Sequence, residues 1–165
     1  MQTSDILSGF NQYGPLLIFI ILFLESLNLT GIPAIIILPT IGFFIKMSGS
    51  NFLFIYLITV LGSVSGCFLY YAIAIKFGRP LYDFFYRKIP ATRRSLEKAS
   101  ELSERYGAMM CFIGRILPTV RTFISLMSGI FSIPFKTFSL YSAAGIAIWN
   151  FMTLFIGYLV ALYSS

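Results

Sequence analysis

Charge is unevenly placed along the chain, and long runs carry none. Residues 6–24 form an uncharged run of 19, residues 26–45 one of 20, residues 47–75 one of 29 and residues 137–165 one of 29. Crossing a bilayer as a helix takes about 20 apolar residues, so each run is near or above that length. Residues 77–107 are a polar insert between them. The pattern predicts an all-α polytopic membrane protein, read as a single domain over residues 1–165.

Two regions do not read as plain spans. Gly31, Pro33, Pro39 and Gly42 fall close together, and proline both removes a backbone donor and clashes with the carbonyl four residues back. Irregular backbone at membrane depth survives where protein or a water-filled cavity covers it. Residues 31–46 are therefore expected to be a first re-entrant, broken segment. Residues 108–135 are expected to be a second, since they are apolar but hold Arg115, Pro118, Arg121, Gly129 and Pro134. The two regions share a tetrapeptide, Ile37-Leu38-Pro39-Thr40 and Ile116-Leu117-Pro118-Thr119. Each is followed by a long helix candidate, at 52–75 and 137–163. Interrupted hydrophobic segments at matching places in two halves point to an inverted repeat.

The insert holds one soluble-type helix, with Thr92 as its N-cap and Gly107 at its end. Leu96, Ala99, Leu102 and Tyr106 share one face, which suits a helix at the membrane surface. Glu101 and Arg105 form an i, i+4 pair. In the long spans Gly62-x-x-x-Gly66 and Gly157-x-x-x-Ala161 allow backbones to approach closely in lipid. That serves packing within a bundle or a homodimer.

Composition sharpens the class. The chain is 58% hydrophobic and 11% charged, against about 25% charged in soluble domains. A soluble domain of this size leaves too much surface in water to hide that apolar content. Absence of histidine excludes Ser-His-Asp and Cys-His nucleophiles and His-ligated metals. No cofactor is expected. Cys67 and Cys111 read as small buried hydrophobes. Of 12 Lys and Arg, eight lie between Lys76 and Arg105. Basic loops face the cytoplasm, which places the 77–107 insert inside. Flanked by apolar spans, it does not read as a nucleic-acid site. The N-terminal region has no basic n-region, so a cleaved signal peptide is not expected.

Three charges interrupt apolar sequence: Glu25, Arg115 and Arg121. Such residues usually mark a functional cavity or pathway. On an unbroken helix the two arginines would point about 120° apart. Pro118 breaks the run between them, which lets both guanidiniums turn toward one anion. Arginine's planar fork suits phosphate, and Thr119 and Thr122 add hydroxyl donors. Snorkelling arginines at an interface are the plain alternative.

The stretch Phe112-x-x-Arg115-x-x-Pro118-x-x-Arg121, followed by Ser128-Gly129-Ile130, resembles the signature of the DedA membrane proteins, also called the SNARE-associated or VTT family. Phe23-Leu24-Glu25, Ile32-Pro33 and Leu38-Pro39 follow in the family's order. Leu61-Gly62-Ser63, Gly66, Tyr70-Tyr71 and Gly78-Arg79-Pro80 match its middle segment, so the resemblance covers nearly the whole chain. It implies a bacterial cytoplasmic-membrane protein that moves a phosphate-bearing lipid, such as phosphatidylethanolamine or undecaprenyl phosphate. It also implies two re-entrant hairpins meeting at mid-membrane. The family's essential residues match Glu25, Arg115 and Arg121. Many members carry a second acid where this chain has Ile35.

The expected substrate-binding set is Glu25, Pro33, Pro39, Arg115, Pro118, Thr119, Arg121 and Thr122, around a lipid phosphate. An enzyme is not expected, because a single carboxylate without a nucleophile or second base does not support hydrolysis or transfer. A membrane assembly or adaptor protein and a small-solute or proton-coupled transporter are the alternative functions.

Overall fold

The computed structural model describes residues 3–27, 34–118, 120, 121 and 123–164, with side chains described from residue 13 onward. Among the described residues seven α-helices carry the fold: α1 (Thr3–Ser26), α2 (Ala34–Ser48), α3 (Phe52–Lys88), α4 (Arg93–Tyr106), α5 (Met110–Ile116), α6 (Ile124–Ile130) and α7 (Phe135–Ser164). No strand occurs among the described residues. Short 3-10 turns, Pro90–Thr92 and Gly107–Met109, bracket α4.

Helix length separates spanning elements from the rest. At 1.5 Å per residue, α3 and α7 exceed the roughly 30 Å hydrocarbon core, and both are apolar enough to cross it. The 15 residues of α2 reach only about 22 Å. α5 and α6 have seven residues each, about 10 Å. The exteriors of α3 and α7 are apolar, with Leu53, Leu57, Leu61, Leu140, Phe151 and Ile156 exposed. Their interiors carry Thr59, Ser63, Ser142 and Asn150, all buried. Polar groups inside and apolar groups outside suit a lipid solvent.

Backbone-to-backbone packing joins the helices. A Cβ on Gly62 would stand 2.8 Å from the Phe19 carbonyl oxygen, and one on Gly66 would collide with the Phe23 carbonyl and stand 2.9 Å from the Ser26 Cβ. The Gly62–Gly66 pair thus docks α3 onto α1. Gly42 of α2 meets the Leu154 carbonyl of α7, and Gly157 of α7 meets the Pro39 carbonyl of α2. Gly129 of α6 packs on Ala74 of α3, where a Cβ would lie 2.7 Å from the Ala74 carbonyl carbon. α2 therefore packs against α7, and α6 against α3. These glycines are occupied inside one chain.

Several local expectations change. Pro39 does not break α2, which runs through it. Only the Ile35 carbonyl loses its N–H partner, while the Thr40 hydroxyl donates to the Ile36 carbonyl at 2.8 Å. Gly31 and Pro33 lie outside the described residues. The copies of the tetrapeptide also differ: residues 37–40 are helical, whereas Leu117 leaves α5 extended, at φ −88° and ψ 113°. The break of residues 108–135 does occur, between α5 and α6. The insert begins as a continuation of α3, kinked at Phe77 (φ −122°, ψ 18°). Pro80 causes the kink, because its ring opposes the Lys76 carbonyl.

Thr92 precedes α4 as expected but does not cap it. Its hydroxyl donates backward to the carbonyls of Phe85 and Ile89, at 3.0 and 2.8 Å. Leu96 and Ala99 are buried, while Tyr106 is exposed. Arg105 lies over the Tyr106 ring, 5.4 Å from its centroid, rather than pairing with Glu101. Gly107 ends the helix at φ +51° and ψ −126°, with open space where a Cβ would stand. Gly107→Ala is therefore expected to destabilise by about 1–3 kcal/mol through backbone strain alone. A lower unfolding midpoint in detergent would show it; an unchanged midpoint would contradict it.

Candidate functional site

The turn after α5 brings the intramembrane charges together. Leu117 leaves the helix, Pro118 follows, and the Leu117 carbonyl accepts from the N–H groups of Val120 and Arg121 at 3.3 and 3.1 Å. This places Arg121 one tight turn beyond Arg115. Glu25 arrives from the end of α1. The three side chains are almost fully buried, at 4% exposure for Glu25, 5% for Arg115 and 7% for Arg121.

Arg121 Nη2 pairs with Glu25 Oε2 at 3.3 Å. Its guanidinium lies over Trp149 of α7, with Cζ 5.8 Å from the ring centroid. Arg121 Nη1 has no hydrogen-bond partner among the described residues. Arg115 is bound differently. Its Nη1 donates to the Arg121 carbonyl, and its Nη2 to Cys67 Sγ and Ser125 Oγ, each at 2.7 Å. Its Cζ stands 6.0 Å from the Phe138 ring centroid. Gly145 of α7 makes room for it, since a Cβ there would lie 2.8 Å from the Arg115 Cβ. Among the described residues, Nε of Arg115 alone on this guanidinium has no partner.

The arginines therefore do different jobs. Arg115 clasps the α5–α6 turn to α3 through Cys67, and Arg121 presents the freer guanidinium. Glu25 pairs with Arg121 and leaves Arg115 to its neutral partners. Pro118 is exposed on the turn. Pro39 lies in α2 against Gly157. Thr119, Thr122 and Pro33 lie outside the described residues. Neither cysteine is only a space-filler: Cys67 receives Arg115, and Cys111 Sγ lies 3.3 Å from Ser128 Oγ.

Three residues beside the site were not anticipated. Ser125 anchors Arg115, and Trp149 lies under Arg121. Asn150, fully buried, donates to Ser63 Oγ at 3.4 Å and leaves Oδ1 unpartnered among the described residues. A lone amide within the uncharged 137–165 run was the available signal for Asn150. Nothing in the sequence marked Ser125 or Trp149. No cluster with metal-ligand character occurs among the described residues.

Comparison with known proteins places these features in context. The VTT domain profile matches residues 32–159. An uncharacterized membrane protein of Bacillus subtilis, YbfM, is 28% identical over 151 residues, covering 92% of this chain and 93% of its own. A Staphylococcus aureus protein named undecaprenyl phosphate transporter A is 30% identical over 151 residues, covering 89% of this chain and 74% of its own. Protein DedA of Escherichia coli is 28% identical over 100 residues, covering 60% of this chain and 45% of its own. No solved structure matches.

Proposed function

Since the chain belongs to the VTT-domain, or DedA, family of bacterial membrane proteins, we propose that it moves a phosphate-bearing lipid across the cytoplasmic membrane. The observation that carries this reading is a buried charge imbalance. Among the described residues the buried ionic side chains are Arg115, Arg121 and Glu25, two cations against one anion. An uncompensated charge away from water is costly. A phosphate headgroup would supply the missing negative charge and accept the N–H bonds that Arg121 Nη1 and Arg115 Nε leave unmade.

Glu25 holds Arg121. An arriving phosphate displaces the carboxylate, or protonation of Glu25 releases the guanidinium. The headgroup then crosses within the bundle while its tail stays in lipid. Undecaprenyl phosphate and phosphatidylethanolamine both carry the required phosphate, and a relative's name favours the first. The short helices α2, α5 and α6 are too short to cross the hydrocarbon core, which suits re-entrant segments. The residues present suit transport better than enzymology, because among the described residues no second acid or nucleophile with a base accompanies Glu25.

Reconstitution in liposomes with labelled lipid tests the proposal. Movement of label between leaflets without chemical conversion is the expected result. A chain that converts the lipid, or that moves none of either lipid while holding a partner complex together, would overturn it.

The 77–107 insert is placed on the cytoplasmic side by its basic excess. A reporter fused near Lys88 should be active only in the cytoplasm; activity in the outer compartment would reverse the orientation.

A further inference from the structure

Arg121 and Trp149 share an unexplained feature. Each is in contact with the other, with Arg121 Cζ 5.8 Å from the indole centroid. Each also carries a buried N–H without an acceptor among the described residues, Nη1 on Arg121 and Nε1 on Trp149. The cation–π contact accounts for an aromatic face at this position, and phenylalanine would supply one. It does not account for the indole N–H. That group can only donate, and leaving it buried and unpaired is unfavourable.

We propose that the Trp149 indole N–H donates to the phosphate that Arg121 binds, so that Trp149 is a substrate-contact residue on α7. This rests on the anion reading of the site given above. The placement favours it. Trp149 packs beside the buried apolar cluster of α1, α2 and α7, which includes Leu22, Leu38 and Leu154, while Arg121 comes from the α5–α6 turn. A phosphate held by Arg121 Nη1 and by the indole N–H at the edge of the ring would take one charged donor from the turn and one neutral donor from α7. The ligand chemistry is a phosphate oxygen, from a lipid headgroup or from free phosphate.

Trp149 is the chain's single tryptophan, so emission excited at wavelengths beyond tyrosine absorption reports on this position alone. The purified chain in detergent is titrated with farnesyl phosphate, farnesol and inorganic phosphate. Farnesyl phosphate should quench or shift the emission, and farnesol should leave it unchanged. A matching response to inorganic phosphate also supports the contact and identifies free phosphate as a sufficient ligand. An equal response to farnesol overturns it.

Binding of radiolabelled farnesyl phosphate is then compared in wild type and Trp149→Phe, which keeps a ring under Arg121 and removes only the N–H. Affinity should fall about tenfold, as for one hydrogen bond to a charged group. The unfolding midpoint is measured alongside, to establish that the variant is folded. Wild type that binds, with Trp149→Phe binding equally well, overturns the contact and leaves the anion site standing. Wild type that binds no phosphate overturns both.

Discussion

Lipid movement by the reconstituted chain should fall at least about tenfold when both arginines become lysine, although the charge is unchanged. Losing a hydrogen bond to a charged group costs about 1.5–3 kcal/mol, and each 1.4 kcal/mol is tenfold. Arg115 makes three such bonds at 2.7 Å from two nitrogens of one planar group. A lysine ammonium is a compact charge on a flexible stem and cannot span the Arg121 carbonyl, Cys67 and Ser125 together. The single variants should separate. Arg115→Lys loosens the α5–α6 turn, so both its unfolding midpoint and its flux should drop. Arg121→Lys keeps that clasp and should lose flux with little change in midpoint. Liposome flux and detergent melting measure the two effects, and full activity of the double variant would sink the phosphate clamp.

Gly157→Val should leave little folded protein. A Cβ on Gly157 would collide with the Pro39 carbonyl oxygen and stand 2.6 Å from its carbon and 2.7 Å from its Cα. These are backbone atoms of another helix, so no rotamer change relieves the clash. Gly42 makes the reciprocal contact, where a Cβ would lie 2.9 Å from the Leu154 carbonyl carbon. α2 and α7 must part, which removes more than the usual 1–3 kcal/mol of overpacking. Loss of the monodisperse peak in size-exclusion chromatography is the readout. Leu140→Val, on an exposed residue, is the control and should behave as wild type. A folded Gly157→Val protein with an unchanged midpoint would show that α2 and α7 are not joined here.

The sequence made the spans and the charges legible for simple reasons. Uncharged runs of 29 residues leave a chain in lipid few options, and α3 and α7 follow from them. The boundary of the insert appeared as Lys76 beside Phe77, where α3 kinks. The break around Pro118 was visible because two arginines flank it. Pro39 misled because a proline's effect depends on its neighbours. In α2 the lost donor concerns one carbonyl, and the proline's own carbonyl lies against a glycine of α7. Thr92 misled likewise, since its hydroxyl found the carbonyls at the end of α3 before any N–H of α4. The surroundings of Arg115 were out of reach. Cys67 is 48 positions away, and only the packing of α6 on α3 brings it to the guanidinium.

The pairing of α2 with α7 has a consequence for biosynthesis. α2 ends at Ser48, and its partner α7 starts at Phe135, 87 positions later. At roughly 5–20 residues per second, the ribosome needs several seconds to supply that partner. Throughout this interval α2 is in or near the bilayer, too short to cross it and with the Ile35 carbonyl lacking a helical donor. The nascent chain is thus exposed to quality control until its last helix emerges. A ribosome stalled before residue 135 should release a product that the membrane proteases remove, however well α1 and α3 have already paired.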